Sequence, residues 1–135
     1  MVDLDTKAFN KIMTVFGLPK ATDEEKKIRT QAINDATKYA IEIPFKVMNL
    51  SYDSMQLIKA MAEIGNPNSV SDAGVAALCA RSAVMGAYMN VRINCNGFED
   101  KAFVSKMIEE GKKIEQSAQK LEGEIIAIVN TKIGI

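Results

Sequence analysis

Histidine and tryptophan are absent from this 135-residue chain, and cysteine occurs only at Cys79 and Cys95. With no imidazole and no CxxC pair, neither of the usual zinc ligand sets can be assembled, so no metal site is expected. The same lack leaves Cys79 without a base to activate it, and it reads as a buried structural thiol rather than a nucleophile. The two cysteines fall on one predicted helix about 24 Å apart, far beyond disulfide reach. Net charge is missing as well, since 17 basic residues balance 17 acidic ones. No polybasic field therefore points to nucleic acid or to an anionic membrane. Arg81 and Arg92 interrupt the longest apolar runs, so no membrane span is expected. The opening MVDLDTKAF is polar and acidic, unlike a secretory leader, and the expected location is the cytoplasm.

What is present is a folding composition: 47% hydrophobic residues and 25% charged ones, enough for a single domain over residues 1–135. Eight Met and no Trp imply an adaptable core with little aromatic anchoring. Leu4, Ala8, Ile12 and Val15 repeat at helical spacing, and Gly17 with Pro19 stops that helix. Thr22 and Glu25 have capping-box spacing and open a second helix running from about Asp23 to Ile64. Pro44 lies inside it and is expected to bend or divide it. A last helix starts at Glu99 or Asp100 and carries Phe103, Met107, Ile114, Ala118, Leu121 and Ile125. No segment alternates with a period of two, so the predicted fold is all-α, a bundle of long helices. An unbroken second helix would span roughly 60 Å, too long for one compact chain. The apolar stripes therefore predict an intertwined homodimer; the alternative is an up-down bundle with the long helix broken at Pro44.

Gly65 to Gly97 is the stretch that differs most from the rest. It carries only Asp72, Arg81 and Arg92 as formal charges, and is rich in Ala, Gly, Ser and Asn. Small residues let helices approach closely, so this central helix is expected to form the buried centre of the fold. Asp72, Ala76, Cys79, Ala83, Gly86, Asn90 and Asn94 share one face, with Arg81, Met85, Tyr88 and Arg92 on the other. Asp72 and Asn90 stand about 27 Å apart along the helix, so one subunit cannot bring both to one ligand. Two copies crossing antiparallel near Ala83 would do so. Asn66, Asn68, Ser69, Ser71 and Asp72 cluster at a helix N-terminus, where free backbone N–H groups suit a carboxylate or carbonyl ligand. The residue types fit another account equally: Ser71 or Asp72 caps the helix while the asparagines build the turn. Arg81, Arg92 and Tyr88 serve either as core-edge residues or as an anion clamp.

The segments Gly65-Asn66-Pro67-Asn68, Ser71-Asp72-Ala73-Gly74-Val75-Ala76-Ala77 and Asn90-Val91-Arg92-Ile93-Asn94 closely resemble the formiminotransferase-cyclodeaminase and methenyltetrahydrofolate cyclohydrolase family of folate enzymes. Lys7 to Met13 and Ile43-Pro44 look like the same family, and the resemblance covers essentially the whole chain. It implies a helical homodimer acting on a one-carbon tetrahydrofolate, with no metal or redox cofactor beyond that substrate. One such reaction expels ammonia from 5-formiminotetrahydrofolate to close the 5,10-methenyl ring; the other adds water to the methenyl carbon. On this resemblance Asp72 is the catalytic acid/base or charge-stabilising residue. Asn66, Asn68, Asn90 and Asn94 hydrogen-bond pterin or ring edges, Ser71 is a further substrate-binding residue, and Arg92 meets a glutamate-tail carboxylate. Family members usually carry a further Gly-rich segment ahead of the point matching Met1, so on this resemblance the chain is expected to be a fragment, a subunit whose partner supplies that segment, or an inactive remnant. The alternative is a catalytically inactive helical dimer that keeps the family core.

Overall fold

The structure, a computed structural model, describes residues 2–134, with side chains from Asp3 onward. Four helices follow one another: α1 (Val2–Phe16), α2 (Asp23–Ile64), α3 (Val70–Cys95) and α4 (Lys101–Ile133). No strand occurs among the described residues, so the all-α expectation holds. The start of α2 is set by its predicted capping box. The Glu25 amide donates to Thr22 Oγ1 at 3.2 Å, and the Thr22 amide donates to Glu25 Oε2 at 3.0 Å. At α4 the cap is Asp100, whose Oδ1 accepts from the Phe103 amide at 2.9 Å. Glu99 instead accepts from Asn34 Nδ2 on α2 at 3.2 Å. Gly97, at φ 80, ends the turn after α3 in a conformation that costs glycine no Cβ clash.

Side-chain bridges set the directions of the helices. Asn34 meets Glu99, Lys59 binds Glu124 at 2.7 Å, and Lys132 reaches the Glu63 carbonyl. Their order along both helices makes α2 and α4 parallel, with α3 running back between them. Arg81 crosses from α3 toward Glu122 on α4 at 3.6 Å, which assigns it to helix packing rather than to a ligand. Helix α1 packs on α2 through a small satellite core of Ala8, Ala40 and Ile43.

Pro44 does not divide α2, which is one element of 42 residues. Proline lacks the N–H that would bond the carbonyl four residues back, so the Ala40 carbonyl loses its helical donor. Asn94 Nδ2 on α3 supplies a replacement at 2.9 Å. Pro44 itself is buried and packs rather than exposing the defect. The bundle broken at Pro44 is thereby ruled out, and the long helix is held by its neighbours on both sides of the proline.

The main core runs between α2, α3 and α4, with Ile41, Met48, Met55, Val84, Val91 and Ile125 fully buried. Each such side chain contributes about 1.5–3 kcal/mol of burial. Met48 and Met55 fill this core as the composition implied, whereas Met13, Met61 and Met89 are exposed. Close approach is confined to particular points. The Tyr88 ring lies against Gly111 of α4, where an added Cβ would stand 2.4 Å from Tyr88 Cε2. The Tyr88 hydroxyl donates to the Ile108 carbonyl at 2.9 Å.

One expectation about the central helix is overturned. Only the α3 face carrying Ala73, Ala77, Val84, Tyr88 and Val91 is buried; the small-residue face is open in the single chain. Cys79 on that open face is exposed, and Cys95 is the buried thiol. The face that turns inward mixes small residues, Ala73, Gly74, Ala77 and Ala87, with Val84, Tyr88 and Val91, and these pack between α2 and α4.

Candidate active site

The connection from α2 to α3 is short and built by its own side chains. Asn66 Oδ1 accepts from the Asn68 amide at 3.0 Å, opening a single 3-10 turn over Pro67–Ser69. Proline at the first position of that turn has the required φ and no N–H to leave unpaired. Helix α3 then begins at Val70, and its preceding residue Ser69 makes no side-chain cap bond. Ser71 and Asp72 are therefore inside the first turn and cap nothing, contrary to the capping account of this cluster. Asp72 makes no hydrogen bond or ion pair with any described residue, which leaves its carboxylate free to act on something else.

Asp72 stands at one end of a cleft of 460 Å³ between α2 and α3. Asn66 and Ser69 line the same end; Leu57, Ile58 and Met61 of α2 form an apolar wall, and Ala73 and Ala76 the floor. An apolar slot with a few convergent polar groups at one end is the usual form of a site for a flat heterocycle. The first-turn amides of α3, the turn that carries Asp72, favour electron-rich groups. Of the residues named from sequence, the fold unites Asn66 and Asp72 here. Asn68 and Ser71 lie exposed beside the turn without lining the cleft. Ser69, which the sequence placed in the same polar cluster, lines it as well, and Leu57 and Met61 are lining residues that the sequence pattern did not single out. The two α2 residues looked like ordinary stripe positions, and only the placement of α2 beside the turn distinguishes them.

Asn90, Arg92 and Asn94 lie at the other end of α3, about 30 Å from Asp72 for Arg92 at 1.5 Å per residue. Arg92 stacks over its own Tyr88, 5.7 Å from the ring centroid, and lines a second cleft of 580 Å³ with Met89, Ile93, Val104 and Ile108. Burial holds the Tyr88 phenol above its ordinary range, partly opposed by Arg92. The amide nitrogen of Asn94 is committed to Ala40, as described above. Asn90 is exposed. Within one chain these three do not meet Asp72. Among the described residues no three metal-ligating side chains come together.

The family profile described as formiminotransferase-cyclodeaminase matches residues 1–113, which include both ends of α3 and the whole cleft. The chain belongs to the formiminotransferase-cyclodeaminase family. It is 36% identical to the methenyltetrahydrofolate cyclohydrolase of Methylorubrum extorquens over 98% of this chain and 64% of that protein. It is 35% identical to the formimidoyltransferase-cyclodeaminase of Gallus gallus over 84% of this chain and 22% of that one. Among solved structures, the formiminotetrahydrofolate cyclodeaminase of Thermotoga maritima superposes with a TM-score of 0.80 at 25% identity. That match covers 96% of this chain and 61% of the other. The chain thus spans less than two thirds of the length of each of these relatives.

Proposed function

We propose that this protein is a folate one-carbon enzyme. It either cyclodeaminates 5-formiminotetrahydrofolate to the 5,10-methenyl form and ammonia, or hydrolyses 5,10-methenyltetrahydrofolate. The observation that carries this reading is the unpartnered Asp72 carboxylate at the polar end of an apolar cleft beside Asn66. The names of the relatives supply the substrate class. In cyclodeamination N10 attacks the protonated formimino carbon, and the C–N10 bond forms. A proton passes from N10 to the former imino nitrogen, the bond to that nitrogen breaks, and ammonia leaves. In hydrolysis water adds to the same carbon and loses one proton to solvent; its other proton passes to one ring nitrogen as the bond from that nitrogen to the carbon breaks, leaving a formyl group on the other nitrogen. Both routes need a carboxylate beside a cationic amidine-like carbon, to hold its charge and carry the proton. Asp72 takes that role, and Asn66 supplies hydrogen bonds to the pterin edge. Asn68, Ser71, Asn90, Arg92 and Asn94 are the further substrate-binding residues in this reading, Arg92 meeting a carboxylate of the glutamate tail.

No helix among the described residues is long and apolar enough to cross a membrane. The reading takes the enzyme to be cytoplasmic and homodimeric, needing no cofactor beyond the folate. The test is to mix the protein with each folate and follow the methenyl absorbance. Its appearance from the formimino compound identifies a cyclodeaminase, and its accelerated loss identifies a cyclohydrolase. No change with either refutes the reading and leaves a helical dimer without catalysis.

A further inference from the structure

Ser69-Val70-Ser71-Asp72 repeats the pattern of Thr22-Asp23-Glu24-Glu25, a hydroxyl residue ahead of a helix and an acid three residues on. At α2 this capping box is made, with Thr22 Oγ1 accepting from the Glu25 amide and Glu25 Oε2 from the Thr22 amide. At α3 neither bond forms. Ser69 makes no side-chain cap bond, and Asp72 has no partner among the described residues. The cause lies in the 3-10 turn that runs straight into α3. The Ser69 amide is taken by the Asn66 carbonyl at 3.0 Å, so the Asp72 carboxylate finds no donor there. The Ser69 backbone, at φ −114 and ψ 17, also departs from the extended conformation that Thr22 holds at φ −100 and ψ 162. That extended conformation is what aims a cap side chain at the first-turn amides. Both side chains of the unmade box instead line the same end of the 460 Å³ cleft. A cap that the local sequence offers and the fold forgoes is the kind of local loss that functional sites carry.

The three polar side chains at that end differ in what they can hold. Asn66 Oδ1 is committed to the Asn68 amide, which leaves the Asn66 side chain its Nδ2 donor. The Asp72 carboxylate only accepts, and Ser69 Oγ both accepts and donates. A water molecule about to attack carbon must turn both its hydrogens to acceptors. Asp72 and Ser69, one turn apart, are the side-chain acceptors left at this end of the cleft. We infer that Ser69, together with Asp72, holds the water that adds to the methenyl carbon, so that hydrolysis of 5,10-methenyltetrahydrofolate is the reaction this cleft serves. The inference rests on the folate reading above. In the step, the water oxygen bonds to the cationic carbon and the C=N π pair withdraws onto the ring nitrogen. One water proton passes to the Asp72 carboxylate and on to solvent. The other, hydrogen-bonded to Ser69 Oγ, stays on the new hydroxyl until it passes to the ring nitrogen whose bond to that carbon breaks. Cyclodeamination brings its own nucleophile, N10, and has no use for this second acceptor.

The test follows loss of the methenyl absorbance in wild type, Ser69→Ala, Ser69→Thr, Asp72→Asn and the double variant Ser69→Ala with Asp72→Asn. Ser69→Ala should lower kcat at least about tenfold, the scale of a misplaced nucleophile, and keep KM within about twofold, because the water takes no part in holding the folate. Ser69→Thr retains the hydroxyl and should recover kcat to within about threefold of wild type. In the Asp72→Asn background, where the carboxamide takes no proton, Ser69→Ala should cost less than about threefold, since the two groups act as a unit. Thermal melts separate this role from a cap. Ser69→Ala should keep Tm within about 1 °C of wild type, whereas Thr22→Ala, at the box that is made, should lower it by about 2–7 °C. Wild-type kcat in Ser69→Ala, a rise in KM alone, no recovery in Ser69→Thr, or independent losses at Ser69 and Asp72 overturns the water-holding role. A fall in Tm for Ser69→Ala equal to that of Thr22→Ala does the same, by showing that the hydroxyl caps α3. A wild type that cyclodeaminates without hydrolysing overturns the role and leaves the folate reading standing. A wild type that turns over neither folate refutes both.

Discussion

Replacing Asn94 with alanine should cost far more than its partly exposed position suggests, because its amide serves a carbonyl that nothing else can reach. The Asn94 Nδ2 bond to the Ala40 carbonyl is 2.9 Å long, and Pro44 is the residue whose absent N–H left that carbonyl open. Asn94→Ala removes one hydrogen bond and orphans a partly buried acceptor, together about 1–3 kcal/mol. Unfolding entropy of about 2.1 cal/mol/K per residue over 135 residues converts this to a fall in Tm of about 4–10 °C. In a Pro44→Ala background the restored amide at position 44 bonds Ala40 along the helix, and the same Asn94→Ala change should cost less than about 0.5 kcal/mol. Pro44→Ala alone is no guide, since it gains helix propensity and loses buried ring packing. The double-mutant cycle is. Urea unfolding of the four proteins followed by circular dichroism, all at one concentration because association shifts apparent stability, should yield a coupling of about 1–2 kcal/mol. Additivity within about 0.3 kcal/mol would refute the compensation and make Asn94 an ordinary surface residue.

Three further outcomes are expected. Gly111→Ala should destabilise, because overpacking against the fixed Tyr88 ring costs about 1–3 kcal/mol and outweighs the gain of about 1 kcal/mol in helix propensity. Gly123→Ala, with open space around it, should stabilise by about 1 kcal/mol; equal effects of the two in thermal melts would contradict the contact. Asp72→Asn should leave Tm within about 1 °C of wild type, since the carboxylate holds no internal partner. It should lower turnover by about 10²–10⁴-fold, and full activity would remove Asp72 from the mechanism. The Lys59 hydrogen bond and charge hold the Glu124 carboxyl below its usual range, and the same bond raises Lys59. The Glu124 contribution is present above the unfolded carboxylate range and is lost as pH falls through the lowered folded value. The Lys59 contribution is present below the unfolded lysine range and is lost as pH rises through the raised value. Glu124→Gln should therefore flatten the acid limb of the stability profile and leave the neutral region level; an unchanged acid limb would deny the pair any role.

Local signals in the sequence accounted for the helices and their ends. The Thr22–Glu25 box, the helical spacing of Leu4, Ala8, Ile12 and Val15, and Asp100 ahead of Phe103 each act over a turn or two, so they are visible without any long-range contact. The polar turn around Asn66 was equally visible as a departure from its apolar surroundings. Other features were not legible, because each depends on two segments far apart in the chain. Pro44 looked like a break since its remedy, Asn94, lies on another helix. The bond from Asn94 to the Ala40 carbonyl was invisible for the same reason. Cys79 looked buried because no base stood by to activate it, yet it lies on the exposed face of α3, and which face turns inward is set by the residues of α2 and α4 around it.

Periodicity, caps and the composition of one stretch thus determined an all-α chain with a polar cluster around Asp72, since those depend on nearest neighbours along the helix. Tertiary packing decided that Leu57 and Met61 wall the Asp72 cleft, that Arg92 stays on Tyr88 at the far end of α3, and that the small-residue face is left open. Burial is a property of what surrounds a helix, and one helix's own residues only set which faces are able to accept it.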